Sequence, residues 1–284
     1  MPPAAVPSPA RALGRTGAQV LAISLGGEGI LRTTGRARDA VPVIVEALRL
    51  GVRYCDTAPA YAQSQDYYGA AFREAGPRAR PAVFLASKTH ERSRDGALRL
   101  LDDSLRRLGT TWIDLWQMHD LRSRAEVDVL FGKGGAMQAA LEAKADGRVN
   151  HIGLTGHHDP QVLLEAMSRF AFDSVLVPIN PADARHSPFI PTVVAEARRQ
   201  GMGVVGMKSL AAGRLLDIAR PEELLRYTAS IADTAIVGCS SLAEVRQNLA
   251  VANAFTPLSQ DERHELEQRV APRARAYDYF KAGP

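Results

Sequence analysis

Eight short apolar segments alternate along the chain with segments that have the residue spacing of helices, and this alternation restricts the fold more than any other feature. The segments recur at a pitch of roughly 25–35 residues, as strand–helix units do. They are apolar on both faces, which is typical of strands in a buried parallel sheet. The predicted strands cover residues 19–25, 52–55, 82–86, 112–118, 149–154, 174–177, 204–207 and 234–237.

Eight strand–helix units in a chain of 284 residues predict an α/β fold of the (β/α)8 TIM-barrel class, with parallel strands inside and helices outside. A doubly wound open sheet is the alternative. It is disfavoured because no predicted strand is followed by the G-x-G-x-x-G turn that binds dinucleotides in such sheets.

The barrel is expected to occupy residues 13–258. Prolines interrupt residues 1–12, which are therefore predicted to form a flexible N-terminal tail. Ser259 has the character of a helix N-cap, so residues 259–284 are predicted to form a C-terminal helix and tail that pack on the barrel.

Polar residues stand at the ends of three consecutive predicted strands, where barrel enzymes keep their chemistry. Asp56, Lys88 and His119 hold these places, and Tyr61 lies in the loop after the first. One such residue alone usually serves structure, but four together favour a site. An ammonium beside a phenol lowers the phenol's pKa, so the group predicts a tunable proton donor that needs a nicotinamide as its hydride source.

These residues resemble those of the aldo-keto reductases, a superfamily of nicotinamide-dependent carbonyl reductases built on this barrel. Residues 56–69, D-T-A-P-A-Y-A-Q-S-Q-D-Y-Y-G, keep the spacing of the family's D-T-A-x-x-Y-G-x-S-E-x-x-x-G. The resemblance extends over nearly the whole chain. It implies that Asp56, Tyr61, Lys88 and His119 are the catalytic residues, with Tyr61 as general acid/base, and that the substrate is a small carbonyl compound or alcohol.

The same resemblance assigns a cofactor segment to residues 236–248, which match the family's G-x-S-S-x-x-x-x-x-x-N and precede a predicted helix whose amino end would hold phosphates. The cofactor-binding residues implied by the alignment are Thr155, Met207, Lys208, Leu210, Gly238, Ser240, Ser241, Glu244, Gln247 and Asn248. The chain departs from the family at the nicotinamide end, where Thr155–His158, Leu176 and Met207 replace the usual residues.

NADP is the favoured cofactor, with NAD as the alternative, because most family members use NADPH. Glu244 would repel the 2′-phosphate of NADP, and Arg246 would offset that repulsion. No metal site is expected. His157 and His158 are adjacent and His151 is near, but zinc needs three or four converging ligands and the sequence shows no spaced set of partners.

The remaining features restrict partners and compartment. The net charge of +4 is small and the arginines are scattered, so no nucleic-acid partner is expected. No apolar run reaches transmembrane length. Cys55 and Cys239 lie in apolar strands and are read as buried hydrophobic residues, which suits a reducing cytoplasm. The sequence gives no indication of an oligomeric state.

Two alternative functions remain open from the sequence. A barrel that binds the cofactor but turns over little would act as a regulatory or interaction module, and would show tight NAD(P)H binding without oxidation. A non-redox lyase or isomerase on the same barrel would show turnover with no cofactor bound.

Overall fold

The computed structural model describes residues 10–281, and it confirms the predicted (β/α)8 barrel. The chain begins with a short antiparallel hairpin of β1 (Arg11–Ala12) and β2 (Gln19–Val20). Eight parallel strands follow and close into a barrel in the order β10-β3-β4-β5-β6-β7-β8-β9. They are β3 (Ile23–Gly29), β4 (Tyr54–Asp56), β5 (Phe84–Thr89), β6 (Ile113–Met118), β7 (Val149–Thr155), β8 (Ser174–Pro178), β9 (Gly203–Met207) and β10 (Thr234–Cys239).

Helices cover the outside of the barrel. They are α1 (Ala37–Arg49), α2 (Ser64–Ala75), α3 (Arg94–Leu108), α4 (Arg124–Phe131), α5 (Ala136–Ala145), α6 (Pro160–Arg169), α7 (Ala195–Arg199), α8 (Pro221–Ile231), α9 (Leu242–Asn253), α10 (Gln260–Val270) and α11 (Ala274–Tyr277). None of the helices in the described part of the chain is long and apolar enough to cross a membrane. Helix α3 is capped at both ends, because Ser93 accepts a hydrogen bond from the Gly96 amide and Gly109 ends the helix in the left-handed conformation.

The large hydrophobic core lies between the strands and the surrounding helices, and a smaller cluster fills the barrel interior. Leu13 and Val20 of the hairpin belong to the interior cluster, together with Tyr54, Leu115 and Leu176. The backbone of the hairpin segment also bonds to Gly201, just before β9 begins. The hairpin therefore closes the amino-terminal end of the barrel, and only the carboxyl end is left to hold a site.

The structure corrects several predicted boundaries. The first predicted strand, residues 19–25, is two strands, because Gln19–Val20 pairs with the hairpin and the barrel strand starts at Ile23. Residues 1–9 of the predicted tail lie outside the described residues, whereas Arg11–Ala12 is paired. Between β6 and β7 the chain forms two helices, α4 and α5, and the helix before β9 begins as a π-helical turn, Ile190–Val194, that continues into α7.

The C-terminal segment returns to the barrel through a buried charge. Lys281 is fully buried, and its Nζ donates hydrogen bonds to Asp183 Oδ1 at 2.6 Å and to the carbonyl oxygen of His186 at 2.9 Å. This contact ties the end of the described chain to the loop after β8. The position of α10, one residue after the Ser259 cap, also matches the predicted C-terminal helix.

Candidate active site

An ion pair with no exposure to solvent stands at the carboxyl ends of β4 and β5. Lys88 Nζ donates to Asp56 Oδ1 and to the carbonyl oxygen of Thr57, the latter at 2.9 Å. The other carboxylate oxygen of Asp56 accepts from Gln117 Nε2 on β6 at 3.3 Å. An unpaired charge at this depth would be strongly destabilising, so each group requires the other. Burial opposes the ammonium of Lys88, but Asp56 and Tyr61 together raise its pKa and keep it charged.

Tyr61 lies against this pair, with Lys88 Nζ 4.5 Å from the centre of its ring. Burial raises the pKa of the Tyr61 phenol above its ordinary value, and the Lys88 ammonium acts in the opposite direction without reversing the shift. The prediction that the ammonium would lower the pKa of Tyr61 is therefore wrong in its net direction, because desolvation of the phenolate is the larger effect. Tyr61 is a protonated donor at neutral pH.

His119 follows β6 and faces Tyr61, with the two ring centres 5.7 Å apart and the rings nearly perpendicular. Burial, followed by the charge of Lys88, lowers the pKa of His119 to about 2. The imidazole is therefore neutral across the physiological range and can donate one hydrogen bond without carrying charge. The structure brings all four predicted catalytic residues together at one end of the barrel.

A glycine in β3 makes room for the Tyr61 ring. A Cβ at Gly27 would lie 2.5 Å from Tyr61 Cδ2, so no larger residue fits while the ring keeps its place. The first predicted strand ends at Leu25, but β3 continues to Gly29 and carries both Gly26 and Gly27 into the site. Arg32 packs on the same ring at 5.1 Å.

A cleft of about 570 Å³ opens beside these residues, and Asp56 and Tyr61 are part of its lining. Six of the predicted cofactor-binding residues line it: Met207, Lys208, Leu210, Gly238, Ser240 and Glu244. The other four do not. Thr155 is buried, Ser241 caps α9, Asn248 bonds to Cys239 and Gln247 is exposed. The cofactor role of these four stays a prediction.

The cleft and the residues that line it fit a nicotinamide dinucleotide. The volume of the cleft is in the range of ligand pockets. Backbone without side chains forms part of the cleft wall at Gly26, Gly29 and Gly238. The hydroxyl of Ser209, which also lines the cleft, is buried without a hydrogen-bond partner among residues 10–281. Helix α9 begins two residues after Ser240, and helix amino ends favour phosphate.

The side chains near α9 differ from the arrangement expected for NADP. Glu244 lines the cleft and accepts a hydrogen bond from the Ser240 amide at 2.8 Å. Arg246, expected to offset its charge, instead donates to Glu46 Oε1 on α1 at 2.8 Å. Arg49 and Arg246 lower the pKa of Glu46 to about 2, so the carboxylate that engages Arg246 is ionised.

A second cluster of polar groups follows β6 and β7. Asp120 Oδ1 lies 3.1 Å from His157 Nδ1 and 3.6 Å from His158 Nε2. The sequence showed no spaced set of partners for the two histidines, and the barrel brings Asp120 to them from the neighbouring strand. His151 lies apart from them and faces Asp173 instead.

Sequence reasoning missed four residues that belong to the site: Gln117, Glu28, Arg32 and Asp120. Gln117 carried a usable signal, since it is a polar residue near the carboxyl end of a mostly apolar strand. Glu28 and Arg32 carried none, because they are ordinary charged residues four apart that form an exposed pair. Cys55 and Cys239 are free and buried as predicted, and burial raises the pKa of their thiols to about 12 and 11.

Comparisons with known proteins agree with this geometry. The model of the Aldo/keto reductase family matches residues 22–224. Pyridoxal 4-dehydrogenase of Microbacterium luteolum is 30% identical over 59% of the chain and 60% of its own length. L-galactose dehydrogenase of Arabidopsis thaliana is 24% identical over 92% of the chain and 94% of its own. A Bombyx mori aldo-keto reductase in complex with NADP matches with a TM-score of 0.72 at 20% identity, covering 93% of this chain and 94% of that one.

Proposed function

The chain belongs to the aldo/keto reductase family, and from that premise we propose that it transfers hydride between a nicotinamide dinucleotide and the carbonyl carbon of an aldehyde, ketone or sugar-like substrate. Tyr61 is the general acid/base. The observation that carries this proposal is the buried Asp56–Lys88 pair, which stands against the Tyr61 ring at the wall of the cleft. The relatives named pyridoxal 4-dehydrogenase and L-galactose dehydrogenase support an aldehyde or a sugar as the substrate class.

Each side chain of the site has a separate task in carbonyl reduction. The bound nicotinamide supplies the hydride that reaches the carbonyl carbon. His119, which is neutral, donates a hydrogen bond to the carbonyl oxygen and holds it. Tyr61 gives its phenolic proton to that oxygen as negative charge develops there, and Lys88 stabilises the phenolate that results. Asp56 keeps Lys88 charged and in place. In alcohol oxidation the same groups act in reverse.

We propose that NADH binds more tightly than NADPH, because Glu244 lines the cleft and Arg246 is held by Glu46 on α1. A carboxylate near the 2′-phosphate of NADPH costs about 1–2 kcal/mol at the edge of a protein, which is roughly a tenfold difference in affinity. The binding of NADP in the Bombyx mori aldo-keto reductase supports a nicotinamide dinucleotide in general rather than this choice.

A Tyr61→Phe variant tests the assignment of the general acid. It removes only the phenolic oxygen, so turnover against a panel of aldehydes, ketones and sugars is expected to fall at least a hundredfold. Binding of NADH and NADPH, followed by quenching of Trp fluorescence, is expected to stay within a few-fold of wild type. Tyr67→Phe is the matched control, since the Tyr67 hydroxyl bonds to the Thr33 carbonyl outside the lining of the cleft.

The outcome also separates the alternatives. A Tyr61→Phe enzyme with wild-type turnover would end the assignment of Tyr61. Tight nucleotide binding by the wild type without oxidation of any substrate would favour a regulatory module, and turnover without nucleotide would favour a lyase or isomerase. We further propose a cytoplasmic location, which the two free, buried thiols support.

A further inference from the structure

We propose that Asp120, His157 and His158 form a binding site for one divalent transition-metal ion, with Zn²⁺ as the expected occupant. Each residue offers one donor atom, and these atoms lie within 4.8 Å of one another. Asp120 follows β6 and the two histidines follow β7, so neighbouring strands of the barrel supply the three donors. This inference does not depend on the proposed redox function.

The spacing of the donor atoms matches a metal site. Zinc binds imidazole nitrogen at about 2.0–2.1 Å and carboxylate oxygen at about 2.0–2.2 Å, so two ligands at a tetrahedral angle are about 3.3 Å apart. The observed distances from Asp120 Oδ1 to His157 Nδ1 and His158 Nε2 are 3.1 and 3.6 Å. Two of the three donor pairs therefore stand close to the spacing of zinc ligands, and all three donors lie within 4.8 Å of one another.

The polar atoms of the cluster lack other partners. Asp120 Oδ1 and both ring nitrogens of His158 are buried and have no hydrogen-bond partner among the residues that the structure describes. Buried polar groups are normally satisfied, so these unpartnered atoms need an explanation. A metal ion satisfies the carboxylate oxygen and one ring nitrogen at once.

Neighbouring arginines hold the carboxylate of Asp120 beside the two histidines. Arg122 Nε donates to Asp120 Oδ2 at 2.8 Å, which occupies one carboxylate oxygen and leaves Oδ1 for the histidines. Arg92 donates to the carbonyl oxygens of His119 and Asp120 at 2.7 and 3.2 Å. Asp120 itself has a φ of +54°, a left-handed conformation that side chains rarely adopt. The loop is therefore held by contacts that point Asp120 toward the histidines.

The donor set indicates which metals fit. Two imidazoles and one carboxylate suit Zn²⁺, Fe²⁺ or Co²⁺, whereas Ca²⁺ and Mg²⁺ require oxygen ligands. Three protein ligands leave at least one coordination position open for water or another oxygen donor. Arg122 shares the carboxylate of Asp120 through an ion pair at 2.7 Å, so this nearby positive charge makes the site weaker than a closed structural zinc site.

The test is a titration of metal-free, full-length protein with Zn²⁺ in competition with a chromophoric chelator. Wild type is expected to bind one Zn²⁺ per chain, and Asp120→Asn and His158→Ala are each expected to weaken that binding at least tenfold. His264→Ala is the matched control, because His264 is an exposed histidine on α10. Its affinity is expected to equal that of wild type.

A second readout uses Co²⁺, whose visible absorption reports coordination geometry. Intense bands typical of four-coordinate cobalt are expected in wild type and in His264→Ala, and are expected to vanish in Asp120→Asn. No stoichiometric Zn²⁺ binding by wild type, or equal binding in wild type, Asp120→Asn and His158→Ala, would overturn the proposal. Asp120→Asn nearly preserves side-chain shape, so the test still decides if His158→Ala fails to fold.

Discussion

Replacing Gly27 by Ala tests whether β3 positions Tyr61, the proposed general acid. The added Cβ would lie 2.5 Å from Tyr61 Cδ2, 2.9 Å from Cε2 and 3.0 Å from the carbonyl oxygen of Asp56. Carbon atoms in contact prefer about 3.5–4.0 Å, so the ring must retreat by about 1 Å. A displacement of that size at a reacting group costs about a hundredfold in rate, or about 2.7 kcal/mol of transition-state stabilisation.

The assay is kcat for carbonyl reduction at saturating dinucleotide, with folding checked by circular dichroism and thermal unfolding. Gly26→Ala is the control on the same strand. Its Cβ would meet the backbone of Val237 at 3.2 Å and would not reach Tyr61, so kcat is expected to stay within about threefold of wild type. A folded Gly27→Ala enzyme with wild-type kcat would show that the ring does not need the space that this glycine leaves, and would refute the reasoning.

Three further predictions concern charge. Burial raises the pKa of Tyr61 and lowers that of His119 to about 2, so kcat/KM for reduction is expected to be flat from about pH 6 to 9. It is expected to fall only as the phenol ionises above about pH 10, while kcat/KM for oxidation rises as the phenolate forms. A pH–rate profile for reduction with a fall between pH 6 and 8 would contradict this. Lys88→Met leaves the carboxylate of Asp56 buried and unpaired, so the free energy of unfolding is expected to fall by about 3–5 kcal/mol. Adding Asp56→Asn is expected to recover part of this loss, and an unchanged Tm in Lys88→Met would be inconsistent with a charged pair. Glu244→Gln is expected to improve NADPH affinity roughly tenfold relative to NADH in a fluorescence titration, and equal changes for both nucleotides would mean that Glu244 does not face the 2′-phosphate.

Local sequence signals predicted the parts of the fold that depend on periodicity. The strand–helix pitch indicated eight barrel strands, and all eight are present. The signals failed where two elements meet without a break in hydrophobicity. Residues 19–25 were predicted as one strand because the apolar run from Val20 to Leu25 spans the end of β2 and the start of β3. The predicted strand ended before Gly26, yet β3 continues, and at Gly27 the missing side chain makes room for the Tyr61 ring.

The candidate site was also predictable where it depends on local sequence signals, and unpredictable where distant residues meet. Polar residues at three consecutive strand ends, with Tyr61 in the loop after the first, predicted the proposed catalytic group, because parallel strands in a barrel present their carboxyl ends on one face. Two contacts escaped prediction because the partners are distant in the sequence. Arg246 was expected to offset the charge of Glu244 but bonds to Glu46, about 200 residues away. The sequence showed no spaced partners for His157 and His158, and the barrel places Asp120 beside them.

The amino-acid sequence by itself determined the barrel and the order in which its polar residues reach the open end, because strand period, turn residues and connectivity are local properties. Only the tertiary structure decided which charges meet and how deeply they are buried. Burial raised the pKa of Tyr61 although the charge of Lys88 lowers it, and the packing of the barrel placed Asp120 next to the two histidines. Desolvation and distance depend on the whole packed molecule, and for that reason no stretch of the chain encodes them alone.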